Sequence, residues 1–186
     1  MQIELNENFR GKCLVAMPNT KNNMFYESVI YITEHSTIGG AVGVMINKDI
    51  NQHNDTPLID IDFMNYSQKW SNEPLCLGGP VDLKTGFILY HDIVTDELLL
   101  TGNDKTIKKI ANDTTVKPLI FTAGYCMWET LQLESEVRFN NWLVIDNIAT
   151  QLIDEIAPEE RYAYALKVAG VNNIAYFDFT GGNGYA

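Results

Sequence analysis

Three polar residues near the ends of two predicted neighbouring strands, Glu34, His35 and Asn47, could do chemistry together. A carboxylate, an imidazole and an amide that meet across a hairpin can orient a water molecule or help to bind a metal ion. A metal site needs at least three protein ligands, however, and this group supplies one histidine. The alternative is that His35 and Asn47 hydrogen-bond to backbone groups at the strand ends. The pattern favours this capping role and predicts no metal site.

Cys126 is the candidate nucleophile. It lies near the start of a helix predicted over 129–139, where the helix dipole can lower the pKa of a thiol. A catalytic thiol also needs a base, and His35 and His91 are the candidate partners. The alternative is an inert buried thiol, since a free cysteine packs as a small hydrophobic residue. The sequence favours the buried thiol and therefore predicts no catalytic residue.

The segment Gly78-Gly79-Pro80 is rich in glycine but does not predict a phosphate-binding loop. No Lys-Ser/Thr pair follows it, and no clear helix begins after it. Paired glycines more often let a strand bend sharply or let another backbone approach closely. A role in shaping a binding pocket is the secondary interpretation.

Gln132 and Glu136 lie four residues apart on the predicted helix, so they share a face while Glu134 points elsewhere. They form either a solvated surface or the polar rim of a groove that recognises a partner. Trp128 and Trp142 flank this helix and are predicted to anchor the core. The predicted binding residues are therefore Glu34, His35, Asn47, Gly78, Gly79, Pro80, Gln132 and Glu136.

The elements that must position these residues are mostly strands. Apolar, β-branched runs predict strands over 12–17, 28–34, 41–47, 74–77, 86–91, 97–101, 119–123 and 142–145. Capping residues and helical spacing predict helices over 58–66, 104–112, 129–139, 147–156 and 158–169, followed by an extended run over 174–179. Asn103 and Asn147 are the expected caps of the second and fourth helices, and a turn is expected over 124–128. Because strands outnumber helices and often follow one another directly, we expect a single α+β domain over 1–186 with a largely antiparallel or mixed sheet.

The composition narrows the function classes. The chain is 46% hydrophobic, which is enough for a sizeable core. Its net charge of -11, with few and scattered basic residues, disfavours direct nucleic-acid binding, which needs clustered lysines and arginines. Three widely spaced cysteines argue against a disulfide framework and a zinc ribbon. With no visible signal peptide and no membrane-spanning apolar run, we expect a soluble cytoplasmic protein.

Landmarks spread along the whole chain carry a family resemblance. They include Gly11-Lys12, Ser28-Val29-Ile30-Tyr31, Glu34-His35, Gly40-Ala41, Ile46-Asn47, Gly78-Gly79-Pro80-Val81, Gly86-Phe87, Leu100-Thr101, Gly124-Tyr125, Trp128, Gln132-Leu133-Glu134, Glu136, Asn140 and Trp142-Leu143. In their order and spacing these segments resemble the bacterial AlgH/YqgE family. One departure is that the family usually has glycine where this chain has Met127 and Leu131.

The resemblance implies an irregular α+β fold, in which a branched, mixed and largely antiparallel sheet curls into a pseudo-barrel with peripheral helices. It implies no established enzymatic activity and no defined cofactor, and the family carries a transcriptional-regulator label. We therefore expect a protein that acts by binding a protein or small-molecule partner, with an indirect regulatory role. The alternative is a small-molecule enzyme with a pocket around Glu34, His35, Asn47 and the turn over 78–81.

Overall fold

The computed structural model of the protein describes residues 7–17, 24–50 and 61–171. Within these ranges the strands are β1 Cys13–Ala16, β2 Val29–Ser36, β3 Gly40–Met45, β4 Leu75–Leu77, β5 Val81–Asp92, β6 Glu97–Thr101, β7 Val116–Trp128 and β8 Trp142–Ile145. The helices are α1 Asp104–Ile110, α2 Gln132–Arg138, α3 Ala149–Glu155 and α4 Arg161–Val168. Short 3-10 turns cover Phe63–Asn65, Gln68–Trp70 and Pro158–Glu160.

The long strand β7 is the branch point of the sheet. The strand order is β6-β5-β7-β3-β2-β1-β8, and β4 joins β7 outside this path. β4 runs parallel to β7, whereas the other strand pairs are antiparallel. The expected α+β fold with a branched, mixed and largely antiparallel sheet is thus confirmed.

The sheet curls without closing. Strands β6 and β8 are the two ends of its order. The curl brings β6 towards the segment before β1, where Arg10 Nη2 lies 2.8 Å from Glu97 Oε1. The expected pseudo-barrel is therefore an open one, with a gap beside β6.

Strand β7 is longer than its sequence pattern indicates. The sequence analysis ends this strand at residue 123 and predicts a turn over 124–128. In the structure Gly124 has a φ of 69°, yet the strand continues through it. Tyr125 pairs with Val81, and the last three residues of β7 pair with β3. Pairing with two other strands outweighs the local turn signal, so the predicted turn was wrong.

The first two helices begin in different ways. Helix α1 is capped as predicted, since Asn103 Oδ1 accepts hydrogen bonds from the backbone N–H groups of Lys105 and Thr106. Helix α2 is shorter than predicted and is preceded by Leu131, whose φ is 62°. Glycine adopts this left-handed conformation without a steric penalty, which explains why glycine is usual at this position in the family that the chain resembles.

The remaining helical predictions have mixed outcomes. Asn147 is not the cap of α3, because Ile148 holds that position and makes no side-chain cap bond. The helix opened by Pro158 is confirmed, since a 3-10 turn leads directly into α4. The prediction for 58–66 lies partly outside the described residues, and its described part contains the 3-10 turn Phe63–Asn65. The run 174–179 lies outside them entirely.

Strand β2 is buried on both faces, which fixes its position firmly. Val29 and Tyr31 belong to a hydrophobic cluster that includes residues of α3 and α4. Ile30 and Ile32 point the other way, into a cluster that includes residues of α2. Because the core packs against both faces of the strand, His35, near the end of β2, is held in a defined place.

Candidate functional site

His35 lies at the end of β2 with both ring nitrogens engaged. Its side chain is 2% exposed. Nδ1 accepts a hydrogen bond from the backbone N–H of Phe9 at 3.2 Å, and Nε2 lies 3.1 Å from Glu134 Oε1. An Nδ1 that accepts from a backbone donor leaves the ring proton on Nε2, from where it is donated to the Glu134 carboxylate. The imidazole therefore ties the segment before β1 to helix α2.

Sequence reasoning missed Glu134 as the partner of His35. The helix geometry correctly placed Glu134 on a different face from Gln132, and the structure shows that this face is buried, with Glu134 6% exposed. The signal that could have revealed it is a carboxylate directly beside the buried Leu133. A buried carboxylate requires a hydrogen-bonding partner, and His35 provides one.

Asn47 lies at the opposite end of β2 from His35. Its Oδ1 accepts a hydrogen bond from the N–H of Val29 at 2.8 Å, and its Nδ2 donates to the carbonyl of Glu27 at 2.9 Å. In the antiparallel hairpin His35 pairs with Ala41, so Asn47 is roughly 20 Å away along the strand. The capping role of Asn47 is confirmed, and the hypothesis that it meets Glu34 and His35 is wrong, because the end of one antiparallel strand pairs with the start of the next.

Gly78 and Gly79 allow one backbone to pass close to another. A Cβ on Gly78 would lie 2.1 Å from the carbonyl oxygen of Gly124, and one on Gly79 would lie 2.2 Å from the carbonyl carbon of Tyr125. Both glycines are buried, whereas Pro80 is exposed. This geometry supports the structural interpretation of the segment, and a binding role for it stays a prediction.

Glu136 holds the two tryptophans that flank α2. Its Oε2 accepts hydrogen bonds from Trp128 Nε1 at 2.9 Å and from Trp142 Nε1 at 2.7 Å. Its Oε1 accepts from Gln132 Nε2 at 2.9 Å, as the spacing on the helix predicted. Both indoles are buried, in agreement with their predicted role as core anchors. Glu136 is thus a structural acceptor, and it needs no ligand to satisfy it.

Replacing Glu136 with leucine is expected to lower the free energy of unfolding by about 2–3 kcal/mol, because two buried indole N–H groups lose their acceptor. Glu136→Gln is the matched variant, since it keeps one carbonyl oxygen that can still accept from the indoles, and it should be about half as destabilising. Urea unfolding followed by tryptophan fluorescence measures both values. Equal effects of the two substitutions would contradict this role.

The three cysteines are all buried. Cys126 lies within β7 and not at a helix start, and its Sγ donates to the carbonyl of Gly78 at 3.3 Å. Burial raises the pKa of Cys126, and it raises the pKa of Cys13 to about 12 and of Cys76 to about 11. The premise of a thiol activated by a helix dipole was therefore wrong, and the interpretation of Cys126 as an inert buried thiol is supported.

The raised pKa values of the thiols predict a loss of stability in alkali. The unfolded thiols ionise at pH values near 9, whereas the folded thiols of Cys13 and Cys76 keep their protons until pH values of about 12 and 11. The unfolded state then binds fewer protons than the folded state, so stability falls as pH rises through this window. We expect a loss on the order of 1–2 kcal/mol between pH 7 and pH 9.

Urea unfolding at several pH values, in the presence of a reducing agent, checks this expectation. A variant with Cys13→Ala, Cys76→Ala and Cys126→Ala is the control, and its stability should vary less over the same range. A wild-type protein whose stability is constant from pH 7 to pH 9.5 would refute the effect.

Arg161 is a second structural residue that the sequence analysis did not identify. Its side chain lies in the core at the start of α4, where Nε donates to the carbonyls of Leu152 and Ile156. Nη2 donates to the carbonyl of Ile153, and Nη1 donates to the carbonyl of Ile46, just after β3. The signal in the sequence is a cation at the first residue of a helix. The helix dipole disfavours a positive charge there, so the guanidinium needs hydrogen-bond acceptors close to it. Carbonyls in and after the last turn of α3 supply them.

A cleft lies between β6 and the β2–β3 hairpin. One cavity of about 410 Å³ is lined by Thr33, Glu34 and His35 on one side and by Leu99 and Leu100 on the other. A neighbouring cavity of about 470 Å³ is lined by Tyr31, Asp96, Glu97 and Leu98. Both cavities include Arg10, which pairs with Glu97. We call the two cavities together the β6 cleft.

The predicted binding residues are divided among several places. Glu34 and His35 line the β6 cleft, whereas Asn47 lines a separate cavity of about 420 Å³ with Cys76. The pocket that the enzyme hypothesis requires, with Asn47 beside Glu34 and His35, is not formed by these residues.

Within the described ranges, no group of three His, Cys, Asp or Glu side chains is placed to hold a metal ion. None of the helices in the described part of the chain has the length and apolar character of a membrane span.

Comparison with known proteins gives a matching family model and relatives that align over nearly the whole chain. The AlgH-like family model matches residues 13–173. A UPF0301 protein of Bordetella pertussis is 33% identical over 190 residues, covering 98% of this chain and 92% of the relative. A UPF0301 protein of Dechloromonas aromatica is 29% identical over 187 residues, covering 96% of this chain and 97% of the relative.

Solved structures show the same fold. The AlgH protein from Pseudomonas aeruginosa, known from a solution structure, aligns over 100% of both chains with a TM-score of 0.62 and 24% identity. A crystal structure of a Corynebacterium diphtheriae protein aligns over 94% of both chains, with the same TM-score of 0.62 and 20% identity. Together with the family model and the relatives that align over nearly the whole chain, these matches lead to one conclusion: the protein belongs to the AlgH-like family.

Proposed function

We propose that the protein acts in the cytoplasm by binding a partner in the β6 cleft, and that any regulatory effect follows from this binding. The observation that carries the proposal is the cleft itself. Its two cavities, of about 470 and 410 Å³, adjoin at Arg10 and combine carboxylates, hydroxyls and leucine side chains in one open surface. Cavities of this size are typical of sites that recognise a ligand.

The residues behind the cleft support recognition in preference to bond-making chemistry. His35 uses both ring nitrogens to hold Phe9 and Glu134 in place. The three thiols are buried and have raised pKa values, so they are poor nucleophiles at neutral pH. His35 and its two partners make one wall of the cleft rigid, and a pre-formed wall lowers the entropy lost when a partner binds.

The charge distribution favours an indirect role in regulation. The net charge of -11 opposes contact with the phosphate backbone of DNA. The β6 cleft carries the carboxylates of Glu34, Asp96 and Glu97 against the single guanidinium of Arg10. A partner that fits this surface is neutral or cationic, which a nucleic acid is not.

The test is a residue-by-residue map of binding. A nitrogen-15 labelled protein is titrated with the small-molecule fraction and the protein fraction of a cell extract, and amide shifts are recorded. We expect the changes to concentrate at residues 33–36 and 97–100 in the cleft. Glu34→Arg places a bulky side chain of opposite charge at the cleft and should remove these changes. Glu73→Arg, at an exposed glutamate outside the cleft, should leave them intact.

Two outcomes would overturn the proposal. One is the absence of any response to either fraction. The other is a response that persists in Glu34→Arg or is confined to residues outside the cleft. For a small ligand that is purified from the extract, a thermal shift gives a second readout. At a ligand concentration about 100 times Kd, the expected stabilisation of about 2.7 kcal/mol raises Tm by roughly 5–10 °C.

A further inference from the structure

In the part of the chain that the structure describes, strand β6 has a free edge. Within the described residues it pairs with β5 alone, from Ile88 opposite Thr101 to Asp92 opposite Glu97. Just beyond β5, the N–H of Ile93 donates to the carbonyl of Thr115, on the β7 side. N–H groups alternate in direction along a strand, so the even-numbered residues of β5 make the ladder bonds to β6.

This alternation decides which groups of β6 are exposed at its edge. The partners of Ile88, Tyr90 and Asp92 are Thr101, Leu99 and Glu97, so these three residues of β6 face β5. The backbone N–H and C=O groups of Leu98 and Leu100 therefore point away from β5. Edge groups that no described strand pairs are a template for another strand.

The β6 cleft runs along this free edge. Leu98 lines one of its two cavities and Leu100 lines the other, so the cleft follows the strand from end to end. Strand β6 has five residues and is about 17 Å long. The opposite wall contains Arg10, Tyr31 and Thr33. The cleft is therefore about as long as an extended segment of five residues.

The charge of the cleft indicates which kind of peptide segment can bind there. Glu34, Asp96 and Glu97 contribute three carboxylates, and the one guanidinium, that of Arg10, already pairs with Glu97. The half-buried leucines of β6 add apolar surface between the charges. Alternate side chains of an added strand point to opposite sides, so basic residues can face the carboxylates while apolar residues cover the leucines.

We propose that the free edge of β6 binds an extended, basic peptide segment of a partner protein as an added strand. This inference rests on the proposed binding function of the β6 cleft and assigns its partner class. Main-chain hydrogen bonds to Leu98 and Leu100 supply affinity, and the carboxylates of Glu34 and Asp96 select basic side chains. The net charge of -11 adds a long-range attraction that speeds the encounter at low salt.

The probe is the synthetic peptide acetyl-Lys-Val-Lys-Val-Lys-Val-amide, with two N-methylated versions as matched controls. One control carries methyl groups on the three valine amides, and the other carries them on the three lysine amides. In an added strand only alternate N–H groups face β6, so one methylated set should abolish binding while the other spares it. The amide protons of Leu98 and Leu100 should exchange with solvent at least about tenfold more slowly when the peptide is bound.

Charge variants test the selection of basic residues. Glu34→Gln should weaken binding of the unmodified peptide about three- to fivefold at low salt, whereas Glu73→Gln, outside the cleft, should leave it unchanged. Raising the salt concentration should remove the difference between the two variants.

The possible failures separate this inference from the broader proposal. If both methylated peptides bind as well as the unmodified one, strand addition is wrong and the cleft binds cations through side chains. If no peptide binds, while extract components still shift residues 33–36 and 97–100, the peptide assignment is wrong and the binding function stands. The last outcome concerns the protein without peptide. If the amide protons of Leu98 and Leu100 then exchange more slowly as the protein concentration rises, a second copy occupies the edge and the inference of a partner protein is overturned.

Discussion

Replacing Arg161 with methionine is expected to lower the free energy of unfolding by about 3–5 kcal/mol. The guanidinium is buried and donates to four backbone carbonyls, those of Leu152, Ile153, Ile156 and Ile46. Methionine fills a similar volume but donates no hydrogen bond, so these carbonyls become buried acceptors without this partner. Two of them belong to the last turn of α3, where the helix itself offers no donor.

The size of the effect follows from the geometry of the guanidinium. Arg161→Lys keeps the charge but replaces a planar fork of five donors by one ammonium group, so it should recover less than half of the loss. Arg138→Met is the control, because Arg138 is exposed in the last turn of α2 and its replacement should change stability by less than about 0.5 kcal/mol. Urea unfolding at pH 7 gives the three values. A loss below about 1 kcal/mol for Arg161→Met would show that the carbonyls find other partners.

Gly78→Ala is expected to destabilise the protein by a similar amount, about 3–5 kcal/mol. The added Cβ would lie 2.1 Å from the carbonyl oxygen of Gly124 and 2.6 Å from Thr122 Oγ1. The closest obstacle is backbone in the central strand β7, which cannot move aside alone. Gly78 also donates its N–H to Ala123 and accepts from Met45 N–H, each at 2.8 Å. A shift of the segment would therefore strain two neighbouring strands together.

Gly39→Ala is the matched control for this prediction. It is the same chemical change in the hairpin turn, and its Cβ would meet its nearest neighbour, Ser36, at an ordinary 3.7 Å. We expect a change of less than about 0.5 kcal/mol for Gly39→Ala. Thermal or urea unfolding of both variants measures the difference. If Gly78→Ala were as stable as Gly39→Ala, the close approach of β7 would not be the reason for glycine at position 78.

Local sequence patterns were sufficient where a segment determines its own structure. Strands β6 and β8 occupy the predicted residues, and Asn103 caps α1 as expected. In each case the deciding signal lies within a few residues: an apolar run with polar ends, or an amide side chain before a helix. The overall fold class was predictable for the same reason, and the family resemblance added its curled, branched sheet.

The candidate site was predictable only in part, because its contacts join distant parts of the chain. His35 and Glu134 are 99 residues apart, and Arg161 and Ile46 are 115 residues apart. A glutamate on a short helix has the same local pattern whether it faces solvent or a buried histidine. The β6 cleft depends on how the curled sheet brings β6 towards Arg10, which no local pattern encodes.

The central claim is that the polar residues behind the β6 cleft hold the fold together and leave recognition to the cleft surface. Its most direct test is the free energy of unfolding of His35→Leu. Leucine occupies a similar space but leaves the Glu134 carboxylate and the Phe9 N–H buried without their histidine partner. We predict a loss of about 2–3 kcal/mol. Residues retained for catalysis commonly reduce stability, so their apolar replacements tend to be stabilising. A His35→Leu protein that unfolds with the wild-type free energy or a higher one would contradict the claim.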